Sequence, residues 1–134
     1  MIFELTDEQK LVQETAREFA HNDIAPTLVE EEKNHEFRLD RVARMGELGF
    51  FSCGVPEELG GTGFGFMESV LMAEQIAKVS ASWRLPFNMQ NLGPALTVAR
   101  FGTEAQKHKF IPGWVAGTQI GFFGMTEPES GSDV

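Results

Sequence analysis

The sequence predicts a mainly α chain: a helical domain over 1–117 and, over 118–134, the first strand of a β domain that the chain leaves incomplete. Three observations carry this prediction. Apolar residues recur three and four positions apart through most of the chain, the period of an amphipathic helix. Thr6 with Gln9 and Thr103 with Gln106 form capping-box patterns, each marking a helix start. Only 119–125, Gln-Ile-Gly-Phe-Phe-Gly-Met, combines β-branched and aromatic residues in the manner of a strand.

Taken in order, the first helix is expected from Asp7 to about His21, with Asp7 and Glu8 in the first turn, where the helix dipole favours negative charge. Leu11, Val12, Thr15, Ala16, Phe19 and Ala20 form its apolar stripe, opposite Glu14, Arg17 and Glu18. Pro26 interrupts the pattern, and Glu30, Glu31 and Glu32 read as a solvated acidic face. Leu39, Val42, Ala43, Met45 and Leu48 make a second stripe, with Gly49 where a helix ends in a left-handed residue. The run 55–63, with Pro56, Gly60, Gly61 and Gly63, is a loop that lacks the Lys-Ser or Lys-Thr ending of a phosphate-binding motif. A third helix spans 66–79, burying Phe66, Val70, Ala73, Ile76 and Ala77 and leaving Glu68 and Glu74 to solvent or pairing. A fourth, 89–100, carries Leu92, Ala95, Leu96, Val98 and Ala99 on more than one face and reads as buried between others. Phe101-Gly102 ends it, and the fifth runs from Thr103 towards Pro112 and Gly113. A lone strand beyond this point would leave its N–H and C=O groups unpaired, so the chain is expected to be part of a longer one.

Composition narrows the function. With 134 residues, 42% of them hydrophobic, one core can fill without disulfides or metal. Eleven Lys and Arg against twenty Asp and Glu give a formal charge of −9, which excludes a nucleic-acid surface. It leaves room for an anionic ligand, because backbone N–H groups and a few placed side chains can hold a phosphate. The lone Cys53 reads as a small buried residue in a reducing compartment. His21, His35 and His108 have no ligand at metal-binding spacing, and there is no secretory segment or membrane span of ~20 apolar residues.

Chemistry concentrates at the end of the chain. Phe123-Gly124-Met125-Thr126-Glu127-Pro128-Glu129-Ser130-Gly131-Ser132-Asp133 is a loop dense in hydroxyl and amide donors, with Gly131 permitting close backbone approach. It suits a planar, polar-edged ring or a phosphate, though the same residues also make an ordinary capped turn. Thr126-Glu127-Pro128-x-x-Gly131-Ser132-Asp133 resembles the signature of the acyl-CoA dehydrogenase family. Leu5-Thr6-Asp7-Glu8-Gln9, Gly46-x-Leu48-Gly49, Pro56-Glu57-Glu58-x-Gly60-Gly61 and Gly102-Thr103-Glu104-x-Gln106-Lys107 precede it in that family's order, so the resemblance extends over essentially the whole chain.

That resemblance implies the family's amino-terminal helical domain and an FAD enzyme that removes two hydrogens across the α and β carbons of an acyl-CoA substrate. A carboxylate base takes the α proton and the β hydrogen leaves as hydride to flavin N5. The backbone at Phe123, Met125 and Thr126 is implied to bond the flavin edge, with the Thr126 hydroxyl near N5. Gly131 and Ser132 are implied to reach the FAD diphosphate and the pantetheine of CoA. N–H groups directed at the flavin pyrimidine stabilise the negative charge that grows there on reduction. The base is implied to lie beyond residue 134, so no carboxylate of this chain is catalytic and Glu127 shapes the loop. Electron-transferring flavoprotein as electron acceptor and a homotetramer are implied on the same ground.

Arg84 bears on the substrate. It lies in Ser82-Trp83-Arg84-Leu85-Pro86-Phe87-Asn88-Met89, where a guanidinium needs an anionic partner or a route to water. A snorkelling or salt-bridged surface arginine meets the same need. In glutaryl-CoA dehydrogenases, which the chain most resembles, an arginine in the corresponding segment binds the distal carboxylate through paired hydrogen bonds, and the Gly102 and Thr126 landmarks put Arg84 there. The expected reaction is glutaryl-CoA to glutaconyl-CoA, with or without decarboxylation to crotonyl-CoA. A dehydrogenase for another short-chain or cyclic acyl-CoA, with Arg84 serving structure, stays open, as does a non-catalytic helical interaction module. The absence of an Arg-rich leader favours a bacterial cytoplasmic protein, while a processed form in the mitochondrial matrix would begin the same way.

Overall fold

The capping box at Thr6 forms as its sequence requires: Thr6 Oγ1 accepts from the Gln9 N–H and Gln9 Oε1 accepts from the Thr6 N–H, each at 3.1 Å. In the computed structural model, which describes residues 4–124 and 126–132, this cap opens α1 (Asp7–Phe19), continued by a π turn at Ala20–Ile24. There follow α2 (Leu28–Asn34), α3 (Leu39–Glu47), a 3-10 turn at Glu57–Leu59, α4 (Phe66–Val79), α5 (Ala81–Leu92), α6 (Pro94–Phe101) and α7 (Glu104–Val115). Gly49, after α3, takes φ +75°, the left-handed conformation that made a glycine the expected stop.

Two apolar clusters hold these helices. The larger lies where α1 packs on α4 and α4 on α5, and contains Phe19, Ile24, Met45, Phe50, Ile76 and Phe87. Phe50 meets Phe19 and Phe87 edge to face at centroid distances of 5.4 and 6.3 Å, the arrangement the aromatic quadrupole favours. The smaller cluster, Val55, Leu59, Ala95, Ile111 and Val115, closes α6 and α7 over the 3-10 turn. Full burial of each such side chain contributes about 1.5–3 kcal/mol. Cys53 belongs to the larger cluster, as expected, and burial pushes its thiol up to about 11.

Four expectations are corrected. The helix expected over 89–100 is two helices that meet at Gly93-Pro94, because Pro94 has no N–H to continue the ladder and disfavours helical geometry in the residue before it. On α4 the buried residues include Ser69, Leu71, Met72, Gln75 and Ile76, while Phe66 and Val70 are exposed. Apolar periodicity cannot select that face, since Ser69 owes its place to a hydrogen bond from Asn91 Nδ2 at 2.7 Å. The strand expected over 119–125 is not formed among its described residues, where no neighbouring strand offers a ladder. The fourth concerns the acidic run: Glu30 and Glu32 are exposed but Glu31 is buried.

Glu31 is buried because Arg41 is buried with it. Arg41 Nη1 and Nη2 donate to the two Glu31 carboxylate oxygens at 2.6 and 2.8 Å, and Nη2 also donates to Thr27 Oγ1 at 3.0 Å. Thr27 in turn donates to Glu31 Oε1 at 2.6 Å. The guanidinium carbon lies 4.5 Å from the centroid of the Trp83 ring, whose other contact is a stacked Phe37 at 5.0 Å. The hydrogen bond from Arg41 is the main reason the Glu31 carboxyl is held below its ordinary value. Its contribution to stability is therefore present above about pH 4.3, the unfolded value, and is lost as pH falls through the lower folded value. Arg41→Met leaves the buried Glu31 carboxylate with the Thr27 hydroxyl and an Arg38 guanidinium at 3.7 Å, and is expected to cost about 3–5 kcal/mol. Urea unfolding at pH 7 measures this, and a loss under 1 kcal/mol would show that the pair carries little. Since no thiolate forms at Cys53 near neutrality, iodoacetamide at pH 8 is expected to leave the folded protein unmodified and to label it once urea unfolds it.

Candidate functional site

The residues with functional expectations gather around one helix, α5, and the segment after α7. Ser80 caps α5, its Oγ accepting from the Trp83 N–H at 3.1 Å. The helix carries Pro86 without breaking, and ends at Gly93, where the chain must pass closely. A Cβ there would stand 2.3 Å from the Met89 carbonyl oxygen and 2.8 Å from the Phe123 ring. The absence of a side chain at Gly93 thus brings Phe123 against the end of α5.

Leu85, Pro86, Met89 and Gln90 of α5, Phe37, Val42 and the segment residues Ile120, Gly121, Phe122 and Phe123 line a mostly apolar pocket of about 440 Å³. Gln90 is the residue that sequence reasoning missed. It is 3% exposed, its Nε2 donates to the Trp114 and Gln119 carbonyls at 2.8 Å each, and its Oε1 accepts from the Gly121 N–H at 2.9 Å. No local pattern signals it, because its partners lie 24 to 31 positions away in sequence.

Arg84 stands on α5 immediately before Leu85, half-buried, and among the described residues its guanidinium has neither a hydrogen bond nor an ion pair. The salt-bridged alternative weighed from sequence is thus not seen there. One turn later the buried Asn88 Oδ1 has no hydrogen-bond partner. Glu68 and Glu74 are paired: Glu68 accepts from Gln9 Nε2 at 3.0 Å and from the Gly65 N–H at 2.9 Å, while Glu74 lies 3.2 Å from Lys78 Nζ.

Phe123, Thr126, Gly131 and Ser132 are exposed, and Met125 lies outside the described residues. The loop between them is closed by Glu127 and Ser130, with N···O distances of 2.8 and 3.3 Å, so Glu127 shapes it through its backbone. Among the described residues the N–H groups of Phe123 and Thr126 donate to no other group, and a Cβ at Gly124 would meet nothing within 4 Å. An open glycine beside N–H donors without a partner among the described residues is compatible with a planar group that carries acceptor atoms on its edge. Flavin is such a group. Among the described residues no three His, Cys, Asp or Glu side chains group as metal ligands, and no helix is long and apolar enough to cross a membrane.

A family model described as acyl-CoA dehydrogenase, N-terminal domain, matches residues 6–118. The chain belongs to the acyl-CoA dehydrogenase family. Glutaryl-CoA dehydrogenase of Desulfococcus multivorans is 38% identical over 100% of this chain and 35% of its own length. The mitochondrial short-chain specific acyl-CoA dehydrogenase of Bos taurus is 35% identical over 97% of this chain and 32% of its length. Among solved acyl-CoA dehydrogenase structures, a glutaryl-CoA dehydrogenase in complex with glutaryl-CoA superposes with a TM-score of 0.94 at 38% identity, covering 99% of this chain and 34% of that one. An acyl-CoA dehydrogenase from Bacillus anthracis complexed with FAD superposes with a TM-score of 0.88 at 32% identity, covering 97% of this chain and 22% of that one. The chain therefore spans about a third of the length of the curated relatives it matches.

Because Gly93 faces both backbone and the Phe123 ring, Gly93→Ala is expected to destabilise the fold by about 1–3 kcal/mol through overpacking. Thermal unfolding measures it, and an unchanged midpoint would show that α5 and Phe123 are free to separate.

Proposed function

We propose that the full-length protein is an FAD-dependent acyl-CoA dehydrogenase that oxidises glutaryl-CoA to glutaconyl-CoA across the α and β carbons, this chain supplying part of the flavin site and the clamp for the distal carboxylate. The observation that carries the substrate reading is Arg84, a half-buried guanidinium with no carboxylate partner among the described residues, on the same helix as Leu85, Pro86 and Met89, which line an apolar pocket. A dicarboxylic acyl chain presents methylenes to such a pocket and a charge beyond them. A guanidinium can meet that charge with two parallel hydrogen bonds, which a neutral acyl chain of similar length does not offer.

The flavin supplies the acceptor for the β hydrogen when bound. The chain's own part is to hold and polarise it: the N–H groups of Phe123 and Thr126 are assigned, with the backbone of Met125, to the ring edge, where donors stabilise developing negative charge. Gly131 and Ser132 are assigned to the FAD diphosphate and, for Ser132, the CoA pantetheine as well. The α proton requires a base that no residue of this chain is assigned. The division into a helical domain over 1–117 and a β domain beginning at 118, electron transfer to electron-transferring flavoprotein and a homotetramer belong to the same reading. So does a bacterial cytoplasmic location, or the mitochondrial matrix for a processed eukaryotic form.

Similarity to short-chain specific relatives favours a second reading, a monocarboxylic short-chain substrate. Anaerobic titration of the FAD-loaded full-length protein with glutaryl-CoA and with butyryl-CoA separates the two. Bleaching of the oxidised flavin by glutaryl-CoA is expected, with at least a hundredfold loss of apparent affinity in Arg84→Ala, since removing one partner of a desolvated charge pair costs about 3–5 kcal/mol. Bleaching by butyryl-CoA alone would discard the glutaryl reading, and a protein that retains no flavin would favour a non-catalytic helical module. Analysis of the products for crotonyl-CoA decides decarboxylation.

A further inference from the structure

We propose that Gln90 is the residue that positions the flavin-binding segment, a role that rests on the flavin reading above. The segment after α7 has no strand beside it among the described residues, yet two consecutive odd positions on it are bonded as a ladder would bond them: Gln119 through its carbonyl and Gly121 through its N–H. Both bonds go to one side-chain amide. Gln90 presents a donor and an acceptor in the same relation as a peptide group, and its second N–H reaches the Trp114 carbonyl at the end of α7. The single side chain thereby ties three places together: α5, the end of α7 and the segment.

The tie is stiff for two reasons. Gln90 is 3% exposed, so breaking any of its bonds leaves a buried polar atom unsatisfied. Gly121 is also held from the other side, where a Cβ would stand 2.6 Å from the Pro94 ring. Phe123 follows two residues later, about 7 Å along extended chain, and Thr126 three residues beyond that. A displacement of Gly121 is therefore carried directly to the N–H donors assigned to the flavin edge. Gln90 also lines the apolar pocket, so the same side chain places the pocket wall relative to those donors.

Gln90→Met keeps the length and removes all three bonds. Gln90→Glu keeps the Gly121 bond but sets a carboxylate oxygen against the Trp114 and Gln119 carbonyls, and serves if the methionine variant folds poorly. Ile111→Val, in the smaller core and making none of the Gln90 bonds, provides a control for general loss of stability. In full-length protein the readouts are the FAD dissociation constant, the visible circular dichroism of bound flavin and the melting temperature of the apoprotein. Both Gln90 variants are expected to raise the dissociation constant at least about tenfold, the effect of one good hydrogen bond lost, and to alter the flavin dichroism. Ile111→Val is expected to lower the melting temperature and leave the dichroism unchanged. Gln90 variants whose flavin dichroism matches the wild type, or whose loss of affinity matches that of Ile111→Val, overturn the positioning role. Wild-type protein that binds no FAD overturns the flavin reading and this inference with it, an outcome separable from the others because it precedes any substitution.

Discussion

The arrangement of the amino-terminal half depends on one buried cation. Arg41 is held from three directions: Nη1 and Nη2 donate to Glu31, Nη2 also donates to Thr27, and the Trp83 ring covers its face. An unpaired guanidinium in that position would be far too costly to bury, so α2, α3 and α5 must come together for any one of them to be placed. Trp83, which closes the assembly, is the residue before Arg84. The ion pair therefore meets α5 one residue before the side chain read as the carboxylate clamp.

From that anchored end α5 runs through the molecule as the common wall of two different structures. One face contributes Trp83 and Phe87 to the larger core, and another, through Leu85, Met89 and Gln90, lines the pocket. The helix ends at the Gly93-Pro94 break, which turns α6 away towards α7 and the smaller core while letting Phe123 approach. Core stability and site geometry are thus coupled through a single helix, because neither face can move without the other.

The segment after α7 shows how a chain manages polar backbone where a sheet is missing. Its groups at 119 and 121 are met by Gln90, whereas the N–H groups of Phe123 and Thr126 have no partner among the described residues. Gly121 is buried, and an unpaired N–H there would be costly, while Phe123 and Thr126 are exposed.

Local chemistry was legible in the sequence. Thr6-x-x-Gln9 and Thr103-x-x-Gln106 became capping boxes, Gly49 a left-handed stop, and 66–79 a helix with those bounds, since these features depend on groups three or four residues apart. The signature Thr126 to Asp133 carried the family for the same reason, being a contiguous pattern. What the tertiary structure decided were matters of distant partnership. The acidic run became a buried ion pair because Arg41 lies ten residues on, and the polar Ser69 turned inward because Asn91 meets it. The segment after α7 is held by Gln90, which bonds Gln119 and Gly121 from 29 and 31 positions away. In each case a polar group is buried against a partner distant in sequence, and such a partner leaves no periodic trace in the sequence.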